Sequence, residues 1–536
     1  MSRFLNLVSY QTAKTILSES ARLSFQIQKV PVTKAVGHAA AESVYSRYTV
    51  PNCDISIRDG FAVRSSDTLD ASDSCPVIIS QYENIHTGSI VLERYDTIVP
   101  LEDARIMDDE HIAVIKPVRP GQNIQRAGSE IKEGRMIMHK GHYILPEDTG
   151  CLISYGILNL SVRVVVAGII PTGDELVEPY SAPSIGEVVE SNCITITGLL
   201  ENIGIKTILY PLTRDDPDKI RTVLEQAVNE CNFIIISGGT SSGKRDYTRD
   251  VLCDLGTLLF HGVAIRPGKT TIAGVINGKP VFGLPGTPVG SVTILRELIL
   301  AWLTDEGYPV PVCHKKDVKL IETIASNPGV DDFVLMMVGK AGDGYIGMPA
   351  GRGRGQFSRI NANGILQISR DREGSEAGKI EKVLIFRPSL NPDNTLLFMG
   401  VYDPLLDYLD LILQEHGIRI MVREGSPENA ILTLIKGNLH GGVIRREWTG
   451  GEFKLKSNLP LAGFNINLIK VGEIGNLSGD ILNKRESIDL AIRCECMNNK
   501  EILLLKQILN SDEWKDISGE LPGYLLDNSG EVTTLI

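Results

Sequence analysis

The sequence predicts a multidomain α/β protein: a three-layer α/β domain flanked by β-rich domains, with an additional α/β domain towards the C-terminal end. Three observations predict it. Between 161 and 305, short apolar runs alternate with helix-like stretches, which implies a parallel sheet with helices on both faces. On either side, at 46–145 and 310–388, the chain turns into short β-type runs broken by glycines and prolines. Past Pro392 the strand–helix alternation resumes.

In chain order, Gln11–Leu23 and Ala35–Val44 carry apolar positions at helical spacing. Residues 1–45, with 146–160, are therefore expected to form a helical and linker domain. Val77–Ile79, Thr97–Val99 and Ile112–Ile115 are strands of the β-rich domain 46–145. In the α/β domain 161–305, strands are expected at Arg163–Ile170, Lys206–Tyr210, Phe233–Ile236 and Val281–Leu284, and helices at Ser191–Ile203, Pro217–Cys231 and Val289–Leu303. Asp317–Leu320, Asp332–Val338 and Val383–Phe386 belong to a β-barrel-like domain, 310–388. Pro388 and Pro392 read as a linker. Thr395–Gly400, Pro404–Leu413, Ile418–Val422 and Pro427–Lys436 open the last α/β domain, 393–536.

A chain of 536 residues is too long for one core. Its formal charge of −12 argues against nonspecific binding to nucleic acid or anionic membrane. No apolar run reaches the length of a membrane span, and Met1–Leu17 lacks the apolar core of a signal peptide. Nine cysteines without paired spacing imply reduced thiols and a cytoplasmic location.

The chemistry concentrates on loops. Phe233–Ile236 runs into Ser237, Gly238, Gly239, Thr240, Ser241, Ser242 and Gly243. A loop so rich in backbone N–H groups, at a strand's carboxyl end, can wrap a phosphate. Asp246 adds a carboxylate, as a site for a phosphate ester held through a divalent cation would need. Thr172-Gly-Asp-Glu175 and Leu284-Pro-Gly-Thr-Pro288 sit at equivalent strand ends, where ligands of open α/β sheets bind. In Thr213-Arg-Asp-Asp-Pro217, Asp215 or Asp216 caps a helix that Pro217 opens, leaving the other free. Arg266 and Lys269 of Ile265-Arg-Pro-Gly-Lys269 offer cations, and Asp59 begins the Asp-Gly turn of Ser56–Ala62.

Taken in order, Ser56-x-x-Asp-Gly-Phe-Ala62, Thr172-Gly-Asp-Glu-Leu176, Arg214-Asp-Asp-Pro217, the Ser237–Thr248 loop, Arg266-Pro-Gly-Lys269 and Gly283-Leu-Pro-Gly-x-Pro-Val289 resemble the molybdopterin molybdotransferases, the MoeA proteins and the gephyrin E domain, across roughly residues 1–388. The resemblance implies an Mg²⁺-dependent enzyme that inserts molybdate or tungstate into adenylylated molybdopterin and releases AMP. It implies a homodimer whose active site lies between the α/β domain of one subunit and the Asp-Gly domain of the other. It assigns catalytic carboxylates to Asp59, Glu175, Asp215 and Asp246, with Glu175 and Asp246 holding the metal. It assigns substrate binding to Thr87, Ser237, Gly238, Gly239, Ser241, Gly243, Arg266, Lys269, Pro285, Gly286 and Pro288. Arg58 stands where Met is common in the family, a guanidinium expected to favour ionised Asp59. The family's glycine beside Asp96 is absent, and Thr287 replaces a frequent Asn.

Residues 393–536 look like the periplasmic-binding-protein-like domain fused to some family members, with Gly425-Ser426 opening a helix. The Gly-x-Gly-Thr-Arg motif those domains often carry is replaced by Asn483-Lys-Arg-Glu-Ser-Ile-Asp489. Two rival readings remain at this level: a nucleotide-processing hydrolase on the same α/β domain, and a non-catalytic molybdate or pterin sensor or scaffold.

Overall fold

The computed structural model describes residues 7–239, 247–308, 310–311, 313–351, 355–387, 389–437, 439–449, 452–455, 466–474, 485–517, 521 and 523–535. The chain divides into two units: residues 24–167 with 200–207, and residues 1–23 with 168–199 and 208–536.

The smaller unit is built from short strands. Gln26–Pro31 pairs antiparallel with Asn159–Val164, whose other edge takes Ala39–Ala40. The helix expected over Ala35–Val44 is absent. A 3₁₀ turn at Val32–Lys34 is followed by Gly37 at φ 84°, which ends helical winding, and the small buried Ala39, Ala40 and Ala41 serve strand edges. Gly60–Val63, all buried, lies between Glu83–Ile85 and Thr97–Pro100. Only glycine fits at 60, because a Cβ there would meet the Val99 carbonyl oxygen at 2.0 Å. Phe61, Val63, Ile79, Val99, Ile112 and Val114 fill the core beneath.

A six-stranded sheet dominates the α/β part, in the order Lys206–Leu209, Val166–Pro171, Phe233–Ser237, Lys279–Leu284, Ile272–Ile276, Thr257–His261. Phe233–Ser237 and Lys279–Leu284 are parallel, but Ile272–Ile276 is antiparallel to both its neighbours. The sheet is therefore mixed rather than parallel. The cause is the Asn277-Gly278 turn, with φ of 50° and 77°, the left-handed pair that a two-residue hairpin demands. The expected single strand Arg163–Ile170 is two strands, Asn159–Val164 and Val166–Pro171, broken at Val165. Trp302 packs on Phe233 and Phe282 and donates its indole N–H to the Ala21 carbonyl at 2.7 Å, which fastens the N-terminal helix Tyr10–Ser20.

Beyond the sheet, Asp331–Ala341, Gly344–Pro349, His314–Leu320, Ile380–Ile385 and Gly364–Ile368 pair in that order, and the last pairs back with the first. They close a five-stranded barrel around Val318, Leu320, Met336, Val338, Leu366 and Val383. Buried Asn363 fills its amide roles with Val338 N–H, Val338 C=O and Leu390 C=O, at 2.8, 2.9 and 3.0 Å.

The C-terminal α/β part is an eight-stranded mixed sheet in which Thr395–Gly400 runs parallel to Arg419–Glu424 and to Gly441–Thr449. Of the linker expected at Pro388 and Pro392, Pro388 lies outside the described residues. Leu390 and Pro392 are buried, and Ile321, Met337, Ile346 and Met348 of the barrel share one core with Leu397, Met399, Met421 and Ile431. Arg423 forks onto Glu322, and His440 bridges the Leu397 N–H (2.9 Å) and the Lys340 carbonyl (2.7 Å). No helix among the described residues is long and apolar enough to cross a membrane.

Candidate active site

The glycine loop starts where the strand geometry delivers it. Phe233–Ser237 is buried throughout, and Gly238 and Gly239 then take φ of 97° and 64°. A Cβ on Gly238 would lie 2.2 Å from the Thr172 carbonyl oxygen; one on Gly239 would lie 2.6 Å from Thr248 Oγ1 and 2.9 Å from Thr172 Oγ1. Both positions require glycine for space as well as for conformation. The Gly238 N–H is already donated to Leu284 C=O at 3.1 Å, so it is a strut between neighbouring strands rather than a phosphate ligand. The Gly239 N–H makes no hydrogen bond among the described residues. Ser237 is 3% exposed, its hydroxyl packed beside Cys193. Ser241, Gly243 and Asp246 lie outside the described residues.

The loops beyond the strand ends meet around one cavity of about 760 Å³. Gly173, Glu175, Asp215, Gly238 and Gly239 line it, as do Arg266–Lys269 and Pro285–Thr287, with Leu7, Asn327 and Val330 among the other lining residues. Ser237 and Pro288 do not reach it: Pro288 is the first residue of the helix Pro288–Ile294. Asn192 Nδ2 donates to the Gly286 carbonyl at 2.8 Å and fixes the Pro-Gly loop.

The two aspartates of the Arg-Asp-Asp-Pro motif separate cleanly. Asp216 is the helix cap, its Oδ1 accepting from Asp218 N–H (3.0 Å) and Lys219 N–H (3.1 Å). Asp215 is left for the cavity. Its Oδ1 is buried without a hydrogen-bond partner among the described residues, and burial, with the nearby Asp174 and Glu175 carboxylates, pushes its pKa up. Asp174 is a neighbour the motif reading passed over: its carboxylate accepts from Asp215 N–H at 3.3 Å, and Arg214 donates to its carbonyl at 2.6 Å. The signal for it was present in the Thr-Gly-Asp-Glu string.

The cations differ in availability. Arg266 forks onto Asp332, a carboxylate 3% exposed that also accepts from Ser326 Oγ at 3.1 Å. Its charge is spent on the barrel, and the pair holds the loop in place. Lys269 is exposed, lines the cavity and has no side-chain partner among the described residues.

Asp59 and Thr87 come together in the smaller unit. The Thr87 N–H donates to Asp59 Oδ1 at 2.7 Å, and His86 Nδ1 stands 3.7 Å from the same oxygen. The Thr87 N–H, with a smaller contribution from His86, lowers the Asp59 pKa. Arg58, expected to do this, is not among the causes. His86 was not anticipated; it is marked only by its place before Thr87.

The donor set can be tested against a divalent cation. No three His, Cys, Asp or Glu among the described residues stand close enough to hold a metal ion. The orphaned Asp215 oxygen, which feels the Asp174 and Glu175 charges, is nonetheless a feature that a hard cation would relieve.

Comparison with known proteins decides the relationship. Residues 8–156 match the MoeA N-terminal region (domains I and II), and residues 168–305 match the probable molybdopterin binding domain. A Methanocaldococcus jannaschii protein, provisionally named a molybdopterin biosynthesis protein, is 30% identical over 410 residues, covering 72% of this chain and 100% of its own. The chain belongs to the MoeA family. Two structures of the molybdopterin biosynthesis MoeA protein from Pyrococcus horikoshii superpose with TM-scores of 0.62 and 0.58, at 30% and 27% identity, over 71% of this chain and 100% of theirs. The molybdopterin molybdenumtransferase of Haemophilus influenzae is 28% identical over 308 residues, 55% of this chain and 76% of that one. These MoeA structures confirm the multidomain α/β fold with β-rich domains.

Proposed function

We propose that this chain is a molybdopterin molybdotransferase, which inserts molybdate or tungstate into adenylylated molybdopterin and releases AMP. One observation carries the reading: the Asp215 carboxylate, whose buried Oδ1 has no hydrogen-bond partner among the described residues, stands beside Glu175 at a cavity of about 760 Å³ that Gly238, Gly239, the Pro285–Thr287 loop and Lys269 also line. A nucleotide hydrolase would need neither this barrel strut nor the Asp59–Thr87 pair. The described members of the acidic set, Asp59, Glu175 and Asp215, keep their carboxylates, which disfavours a sensor or scaffold.

In this reading the Gly239 N–H binds a phosphate oxygen together with Ser241 and Gly243, and Lys269 supplies the matching charge. Asp215, its pKa raised by burial and by the Asp174 and Glu175 charges, is suited to passing a proton to an oxide leaving the oxyanion. Asp59, biased towards ionisation, orients the oxyanion or accepts a proton from a dithiolene sulfur. Glu175 and Asp246 would hold Mg²⁺, which when bound neutralises charge on the anionic substrates. Asp59 of the partner subunit completes the site in a homodimer, and the protein works in the cytoplasm. Residues 393–536 we read as a binding-protein-like domain; the Ser426 cap, which accepts from Asn429 N–H at 3.2 Å, supports that reading.

The test supplies purified protein with adenylylated molybdopterin, Mg²⁺ and either oxyanion, and follows AMP release and the metal content of the pterin. Release that depends on the oxyanion supports the reading. Pterin binding without turnover contradicts it and favours a sensor.

A further inference from the structure

Outside the cavity, three arginines converge where the α/β part passes into the barrel. Arg296 lies on the π-helical segment Leu295–Ile299, a winding often kept for a local purpose. Its guanidinium stacks 4.9 Å from the Phe386 ring centroid. Arg387 lies 6.0 Å from the same centroid and donates to the Ile360 carbonyl at 2.5 Å, at the end of the short helix Gln356–Ile360. Arg359, one residue earlier on that helix, is close enough to feel both other charges.

Three guanidiniums so placed would ordinarily share a carboxylate. Among the described residues no acid lies within ion-pair distance of Arg296, Arg359 or Arg387. Glu297, next to Arg296, is turned to the Tyr10 hydroxyl at 3.4 Å. Burial and the two neighbouring guanidiniums bring the Arg359 pKa down to about 10, and burial lowers that of Arg296. Both side chains are half-buried, and no nitrogen of Arg296 or Arg359 is among the fully buried polar atoms left without a partner. Like charges held together in a half-buried setting repel, and a doubly charged anion is what removes that cost. None of the three lines the cavity of the glycine loop.

We propose that Arg296, Arg359 and Arg387 form a second anion site, which takes a tetrahedral dianion. Free phosphate and molybdate share that chemistry. The planar forks offer paired N–H donors to the oxygens, and the Phe386 ring keeps two of them oriented.

The test titrates phosphate, and separately molybdate, into the full-length chain by calorimetry, with melting temperatures measured in anion-free buffer. Lys269→Ala removes the contribution of the cavity lysine and is expected to leave dianion binding at the arginine site intact. On that background, Arg359→Ala is expected to weaken binding about tenfold or more. It is also expected to raise the melting temperature without anion, because repulsion is relieved. Arg359→Lys, which keeps the charge but not the fork, is expected to give an intermediate affinity and serves if the alanine variant does not fold. Equal affinity for the two anions identifies a phosphate-type site; a tenfold preference for molybdate identifies a reserve for the metal oxyanion. Unchanged affinity in both Arg359 variants would overturn the proposal, as would loss of all dianion binding in Lys269→Ala alone.

Discussion

The Thr87 main-chain N–H donates to Asp59 Oδ1 at 2.7 Å, across 28 residues of sequence. The bond ties the Asp-Gly turn to the start of the next loop and lowers the pKa of an exposed carboxylate. Asp59 is 54% exposed and contributes to no core, so its value lies in its charge.

Asp59→Asn is expected to leave the melting temperature unchanged and to slow metal insertion about 100-fold, the usual worth of a positioned acid–base group. His86→Ala removes one of the two influences that lower the Asp59 pKa. The acid limb of the rate profile should therefore move to higher pH. A profile that stays in place would show that His86 does not act on Asp59.

Asp215→Asn is expected to separate stability from function. The folded Asp215 pKa is raised, so its ionised form costs stability once the pH exceeds the unfolded value. At neutral pH the asparagine variant should melt higher than the parent and insert metal about 100-fold more slowly. A variant that melts lower would mean the carboxylate is satisfied in the free protein.

Gly238→Ala places a methyl group 2.2 Å from the Thr172 carbonyl oxygen at φ 97°. The strand end must shift, at a cost of about 2 kcal/mol or more. Chemical denaturation measures this directly, and pterin binding should fall with it.

Leu397 is 0% exposed, in the core shared by the barrel and the C-terminal sheet. Leu397→Ala should cost about 3 kcal/mol, and removal of residues 393–536 should expose Met337, Ile346 and Met348 and yield aggregating protein. A soluble truncation with the parent's melting temperature would show the two parts to be independent.

Glu381 pairs with Arg372, accepts from Ser375 Oγ at 2.7 Å, and has its carboxyl brought down to about 2, chiefly by Arg372. A depressed acid stabilises the fold above its unfolded pKa and loses that contribution as the pH falls. Barrel stability should therefore decline from about pH 4.5 towards pH 2. Glu381→Gln should flatten that limb by on the order of 1 kcal/mol, solvent screening included. An unchanged limb would place acid sensitivity elsewhere.

Much of this was legible in the sequence because it is written in local chemistry. Phe233–Ser237 announced itself by four consecutive apolar residues, and Pro217 announced a helix start, though it left open which of Asp215 and Asp216 caps it. The hairpin at Asn277-Gly278 carried its own signal but was overlooked beneath the strand–helix alternation, so the sheet was expected to be parallel. The stretch 35–44 had helical spacing without the length or the side-chain size to bury a helix face, and Gly37 broke it. Long-range electrostatics were harder to see. Arg266 looked like a phosphate ligand because its partner, Asp332, is 66 residues away, in a strand that only the fold brings alongside. Arg58 looked influential because it is adjacent in sequence, whereas its neighbour's charge is set by Thr87 and His86. The apolar joint at Leu390 was hidden by the prolines around it.

The central claim is tested most directly by AMP release from adenylylated molybdopterin, measured for the parent and Asp215→Asn with and without molybdate. The account predicts release by the parent only when the oxyanion is present, with molybdenum recovered on the pterin, and about 100-fold slower release by the variant. Equal release without oxyanion, or equal rates in both proteins, would contradict it.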